Sequence, residues 1–115
     1  MPLQTLDFEL DQGDSILEEV TYTDDNGDPV NLTGFTARMQ VRKTAASSYA
    51  YLVLTSASGL SIDTDDGIIT IAVSPASTAL IPAGNYVYDL EVVDSSGYTE
   101  KLLAGKFILR GEVTR

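Results

Sequence analysis

The chain of 115 residues has no cysteine, no histidine and no tryptophan. Those absences exclude Ser-His-Asp and Cys-His nucleophile pairs and zinc sites built on His or Cys. They also exclude haem held by a His or Cys axial ligand and any disulfide framework. Positive charge is scarce as well: seven Lys and Arg stand against 17 Asp and Glu, a net charge of −10. A duplex-binding protein needs a basic patch to displace counterions, so nucleic acid is excluded as an expected partner. An anionic membrane surface is excluded on the same ground. No apolar run approaches the ~20 residues of a membrane-spanning helix. Met1-Pro2-Leu3-Gln4 lacks the basic and apolar regions of a signal peptide. From Met1 to Arg115 the chain is expected to be a complete small protein made in the cytoplasm. No enzyme signature occurs. No catalytic, cofactor-binding or metal residue is therefore assigned, and no small-molecule substrate is expected.

What is present is an ordinary globular mixture, 43% hydrophobic and 21% charged, long enough for one core in a single domain over residues 1–115. Strand-like alternation is broken by turn clusters almost throughout. Leu6, Phe8 and Leu10 alternate with Asp7 and Glu9. Ile16, Val20 and Tyr22 continue, with Glu18 falling on the same face. If Glu18 faces inward, it marks an edge, a bulge or a partner contact. Phe35, Ala37, Met39 and Val41 form an apolar face opposite Thr36, Arg38, Gln40 and Arg42. Tyr49–Leu54 is a further strand, Leu60 and Ile62 a short edge piece, and Ile68–Val73 a β-branched run. Tyr86, Tyr88, Leu90 and Val92 face in, and Thr99–Leu109 closes the domain with Leu103, Gly105, Phe107 and Leu109 on one face. Ser74-Pro75 suits an N-cap followed by proline at the first helical position, which opens one short helical turn near 75–80. Seven or eight strands at these turn spacings predict an all-β, immunoglobulin-like antiparallel sandwich.

Tyr86 sits where immunoglobulin-like domains place a corner tyrosine that bonds back to the upstream backbone, and Tyr88 would then take the place of the second core cysteine. Two ordinary core tyrosines are the alternative.

The acidic clusters carry little chemistry. Asp24, Asp25, Asn26 and Asp28, and likewise Asp63, Asp65 and Asp66, match calcium loops in composition but lack the spacing and the closing bidentate glutamate. Turn chemistry explains them, because Asp and Asn cap turns. Glu18 and Glu19 are adjacent and point to opposite faces of a strand. Asp89 and Glu91 share an outer face without a cleft. Arg38 and Arg42 share one face and are placed to pair with nearby acids. Tyr49 with Tyr51, or Tyr98, would serve a sugar-stacking platform only if exposed. Asn31-Leu32-Thr33 is a formal glycosylation sequon.

The landmarks also stand in a recognisable order: Phe8-Glu9-Leu10-Asp11-Gln12-Gly13-Asp14, then Asp25-Asn26-Gly27-Asp28-Pro29 through Gly34-Phe35-Thr36-Ala37-Arg38-Met39-Gln40-Val41-Arg42, then Ile81-Pro82-Ala83-Gly84-Asn85-Tyr86-Val87-Tyr88-Asp89-Leu90-Glu91-Val92, and finally Leu103-Ala104-Gly105-Lys106. In this order the chain resembles the small immunoglobulin-like β-sandwich of tailed bacteriophages and prophages, and it is similar to the N-terminal domain of phage baseplate upper proteins. The resemblance covers nearly the whole chain. It implies a non-enzymatic structural protein of the virion, placed in the tail or baseplate. Such a protein is an adaptor that docks to symmetric neighbours and anchors other tail components. The partners implied are other virion proteins, with a homo-oligomer in the assembled particle. A capsid decoration protein on the head and a carbohydrate-binding sandwich module are the alternatives. Two departures from the family pattern stand out: the chain is expected to be the domain alone, without a fibre or receptor-binding segment after it, and Glu18 occupies a position that is usually apolar. Residues 1–5 and 111–115 are candidate arms that order on assembly.

Overall fold

A computed structural model describes residues 3–111 and 113. Nine strands and one short helix follow in chain order: β1 (Gln4–Thr5), β2 (Phe8–Asp11), β3 (Ile16–Thr21), β4 (Thr36–Arg42), β5 (Ala50–Thr55), β6 (Leu60–Asp63), β7 (Ile68–Val73), α1 (Pro75–Ala79), β8 (Gly84–Val93) and β9 (Thr99–Arg110). They form an all-β sandwich of two sheets. The larger has the order β1-β9-β8-β4-β5, with β2 also on β9, and the smaller has the order β3-β7-β6. This is the immunoglobulin division of strands, with β9, β8 and β4 in the places of G, F and C, and β3, β7 and β6 in those of B, E and D.

The core lies between the sheets and follows the alternation of the sequence. Ala37, Met39 and Val41 of β4 are buried, as are Tyr86, Tyr88, Leu90 and Val92 of β8. Ile16 and Val20 of β3 meet them from the other sheet with Ile69, Ile71 and Val73 of β7. On β9 the period of two breaks once. The register shifts between Leu90 and Glu91, so that Leu103 faces Leu90 while Lys101 faces Glu91. The extra residue, Leu102, is fully buried beside Leu103. A bulge re-aims one side chain in this way.

The helical turn begins where Ser74 and Pro75 place it. The Ser74 side chain accepts from the Ser77 N–H, and Pro75 occupies the first turn. Thr78 is the one buried polar residue among those described. Its hydroxyl donates to the Asp14 carbonyl at 2.7 Å and accepts the Gly13 N–H at 3.0 Å, which ties α1 to the turn between β2 and β3. Gln12 Nε2 donates to the Ile81 carbonyl at 2.8 Å and closes the same end of the sandwich. The corner tyrosine is present: the Tyr86 hydroxyl donates to the Pro82 carbonyl, four residues upstream, at 2.5 Å.

Between the named strands, pairing is antiparallel except at the N-terminus. β1 and β2 both run parallel to β9, with Gln4 beside Leu103 and Phe8 beside Phe107. This differs from a purely antiparallel sandwich, and it places Gln4 and Thr5 in a strand rather than in a free arm. Residues 1, 2, 112, 114 and 115 of the expected arms lie outside the described residues. Between β1 and β2 the chain presses its Leu6 carbonyl against Gly105. A Cβ added at Gly105 would stand 2.1 Å from that oxygen. The Tyr88 hydroxyl, directly across the β8–β9 ladder from Gly105, donates to the same carbonyl at 2.5 Å. The Leu6 N–H donates to the Ala104 carbonyl at 3.1 Å, and the Asp7 carboxylate accepts the Lys106 N–H at 2.8 Å. Tyr88 thus fills the expected cysteine position and acts as a tether. Its ring packs 5.1 Å from that of Phe8.

Two substitutions follow from these contacts. Gly105→Ala forces a methyl group into the Leu6 carbonyl and is expected to lower stability by about 1–3 kcal/mol, in the range of overpacking. Urea unfolding gives the loss, and limited proteolysis is expected to show earlier cleavage near residues 3–8. Tyr86→Phe removes the corner hydrogen bond and is expected to cost about 1 kcal/mol in the same unfolding measurement.

Candidate functional site

With β1 and β2 docked parallel on β9, β3 has one neighbour among the described residues, β7. Its register with β7 runs from Ile16 opposite Val73 to Thr21 opposite Ile68. One residue further on, the Tyr22 N–H donates to the Gly67 carbonyl at 2.8 Å. Hydrogen-bonded pairs alternate along an antiparallel ladder. Ile16, Glu18 and Val20 therefore turn their backbone groups to β7, and Leu17, Glu19 and Thr21 turn theirs outward. The Ala72 N–H agrees, since it donates away from β3 to the Gly59 carbonyl at 2.8 Å. The outward groups form an open strand edge, and Leu17 on it is 77% exposed.

Glu18 and Glu19 are both exposed on this strand. Glu18 follows the inward period of Ile16 and Val20 yet reaches solvent, because β3 borders the open side of the sandwich. Gln4, Thr5, Leu6 and Leu103 line the groove there with Glu18 and Val20. Its place is that of an edge residue. Acidic side chains on an edge oppose indiscriminate strand pairing.

Several other acidic residues serve turns or ion pairs. Asp24 Oδ1 accepts the N–H groups of Asn26 at 2.9 Å and Asp28 at 3.0 Å. Asp63 Oδ1 accepts the Asp66 N–H at 3.2 Å, and Asp94 Oδ1 accepts those of Ser96 at 2.9 Å and Tyr98 at 3.0 Å. Gly27 and Gly67 close the first two turns with φ of 84° and 67°, backbone that side chains avoid. No group of three or more acidic residues among those described is arranged to hold a metal ion. Glu91 pairs with Arg38, and Asp89 with Lys101 at 3.1 Å, so the structure splits these two carboxylates between two cations. Arg42 takes neutral partners instead, the Gln40 side chain and the Ser47 carbonyl. Asn31 Oδ1 accepts the Thr33 N–H, so the sequon forms a turn.

The tyrosines do not converge. Tyr49 is 65% exposed and meets Tyr51 edge-on, with centroids 4.7 Å apart at 80°. Tyr51 in turn packs on the corner residue Tyr86. Tyr98 is exposed in the β8–β9 turn, at the opposite end of the sandwich. A flat stacking platform of two parallel rings is not formed. In the sequence the β3 edge was one of three readings of Glu18, beside a bulge and a partner contact, and which strand edge lay open was not legible. The signal that could have pointed to it is the pair Leu17-Glu18, an apolar residue where the period calls for polar and the reverse.

Tyr22 links the two sheets at the acidic end by donating to the Glu100 carboxylate on β9. This hydrogen bond, with burial, pushes the Tyr22 hydroxyl up to about 12, and it holds Glu100 below its ordinary value.

No family model matches the chain, and no curated protein matches it. Among solved structures it is similar to CopC from Methylosinus trichosporium OB3b, with 14% sequence identity and a TM-score of 0.45, over 86% of this chain and 79% of that one. At that level the likeness transfers no role. No helix among the described residues is long and apolar enough to cross a membrane.

The Tyr22–Glu100 link sets a pH dependence. A raised folded-state pKa stabilises the fold below the unfolded value of 10.0, and that contribution is lost as pH climbs from there to about 12. The lowered Glu100 acts in the opposite window: its contribution is present above the ordinary carboxylate value and lost as pH falls through the folded one. Tyr22→Phe is expected to flatten stability in the alkaline window, measured as urea midpoints across pH with tyrosinate absorbance alongside.

Proposed function

We propose that the chain is a non-enzymatic structural protein of a tailed-phage virion, an adaptor of the tail or baseplate that docks to symmetric neighbours and anchors other tail components. Such a protein is made in the host cytoplasm and works in the assembled particle. The order of landmarks from Phe8 to Lys106 supports the virion setting through resemblance. The observation that carries the docking role is the open β3 edge, with outward backbone groups at Leu17, Glu19 and Thr21 and the exposed Leu17 side chain.

An extended segment of a neighbouring virion protein can add to this edge as a strand. Main-chain hydrogen bonds then supply affinity, and the side chains supply selectivity. Glu18 and Glu19 favour Lys or Arg on the incoming strand and disfavour a second β3, which would set acid against acid. Multiplied around a ring, weak single contacts of this kind hold firmly.

Mass spectrometry of purified parent particles, separated into heads and tails, tests the assignment. The chain is expected in the tail fraction. Its presence in heads alone would make it a decoration protein, and its absence from both would overturn a virion role. A second experiment tests the edge. Glu19→Pro deletes an N–H that points away from β7, so the fold is expected to persist by circular dichroism. Its retention on tail components is expected to fall about tenfold or more, and Leu17→Lys is expected to weaken it in the same assay.

A further inference from the structure

Charge is segregated along this chain in a way that its turns alone do not require. Residues 1–37 and 44–100 contain no Lys or Arg at all. The strands run along the long axis of a body measuring 45 × 27 × 24 Å, and a 12-residue strand such as β9 spans about 40 Å of it. One end gathers the turns that carry Asp24, Asp25, Asp28, Asp65, Asp66 and Asp94. These turns meet there because Leu32 N–H donates to the Thr64 carbonyl and Gly34 packs on Ser95. Toward the other end, the outer face of the larger sheet carries a basic patch with an apolar floor. In one row across that sheet Val87 stands between Arg42 on β4 and Lys106 on β9. Lys43 follows Arg42, with its Nζ 4.8 Å from the centroid of the Tyr86 ring.

The patch is short of counter-charge. Arg42 is held by neutral oxygens, and Lys43 lies over a ring. The Asp7 carboxylate beside Lys106 accepts its backbone N–H. The neighbouring cations Arg38 and Lys101 are already paired with Glu91 and Asp89. Val87 is 36% exposed in the middle and offers an apolar contact.

We propose that this patch docks the acidic end of a second copy of the chain. The two surfaces differ and lie toward opposite ends of one molecule. The contact is therefore head-to-tail, and repetition generates a ring if the rotation closes and a filament if it does not. At about 0.15 M salt the long-range repulsion from the net charge of −10 is screened beyond about 8 Å while charges paired in contact still attract; at about 1 M, where screening reaches about 3 Å, the contact pairs weaken as well. The self-association rests on the charge layout and stands apart from the virion assignment, because it is read in purified protein.

Sedimentation velocity on the purified full chain tests it, from micromolar to about 1 mM protein in about 0.15 M and about 1 M salt. Association that rises with concentration at the lower salt and weakens at the higher is expected. Lys43→Glu/Lys106→Glu removes the patch, and Asp65→Lys/Asp66→Lys reverses part of the acidic end. Each is expected to weaken self-association about tenfold or more while circular dichroism is unchanged. Lys106→Glu alone serves if the double variant unfolds. Mixed, the two variants are expected to form a 1:1 pair that grows no further, since one keeps only an acidic end and the other only a patch. A monomer at about 1 mM, association indifferent to both variants, or a mixture that does not pair would each overturn the proposal.

Discussion

One carbonyl oxygen decides which sheet the first strand joins. Leu6 turns its C=O into the space that Gly105 leaves by having no Cβ, and the Tyr88 hydroxyl closes over it. Any larger residue at 105 would strike that oxygen. Because the N-terminal segment is held there, β1 and β2 lie parallel to β9 on the larger sheet. In the immunoglobulin arrangement with A, B, E and D in one sheet, the first strand would instead cover the edge of the second. Here that edge, β3, is left open. The open edge of the smaller sheet thus follows from a contact on the larger one.

The same geometry explains why the buried tyrosines do not read as reactive groups. Tyr86 and Tyr88 each donate to a backbone carbonyl, and burial raises both hydroxyls above their ordinary value. Among the described residues no buried side-chain polar atom lacks a partner. The polar chemistry of the interior is used to fasten the chain: Tyr88 holds the N-terminal segment, Tyr86 the turn before β8, and Thr78 the turn before β3. The described surface carries an open strand edge, acidic turns at one end, and cations on or beside β4 and β9 of the larger sheet.

Much of the architecture could be read from local pattern. The alternation of Ala37, Met39 and Val41, and of Tyr86 to Val92, predicts buried faces, and these residues are buried. Ser74-Pro75 predicts a helical turn, and α1 starts there with the expected cap. Asn26-Gly27 and Asp66-Gly67 mark two of the turns where glycine takes positive φ. Pairing partners were less legible, because they depend on contacts far apart in sequence. The alternation of Leu6, Phe8 and Leu10 indicates a strand but not that it runs parallel to one a hundred residues later. Gly105 looks like one more small residue on a core face until the Leu6 carbonyl is seen against it. Leu102 shows a related limit: a bulge shifts the period, and both Leu102 and Leu103 go inside. Glu18 marked the edge by violating the pattern, but the violation became interpretable only when β3 was seen to have a single neighbour.

Amide hydrogen exchange along β3, read residue by residue by NMR, tests the central claim most directly. If the N-terminal segment is committed to β9 and β3 is open, Glu18 and Val20 exchange slowly through their bonds to β7, while Leu17, Glu19 and Thr21 exchange fast. Slow exchange at all five positions would mean that the edge is already covered, and would contradict the account.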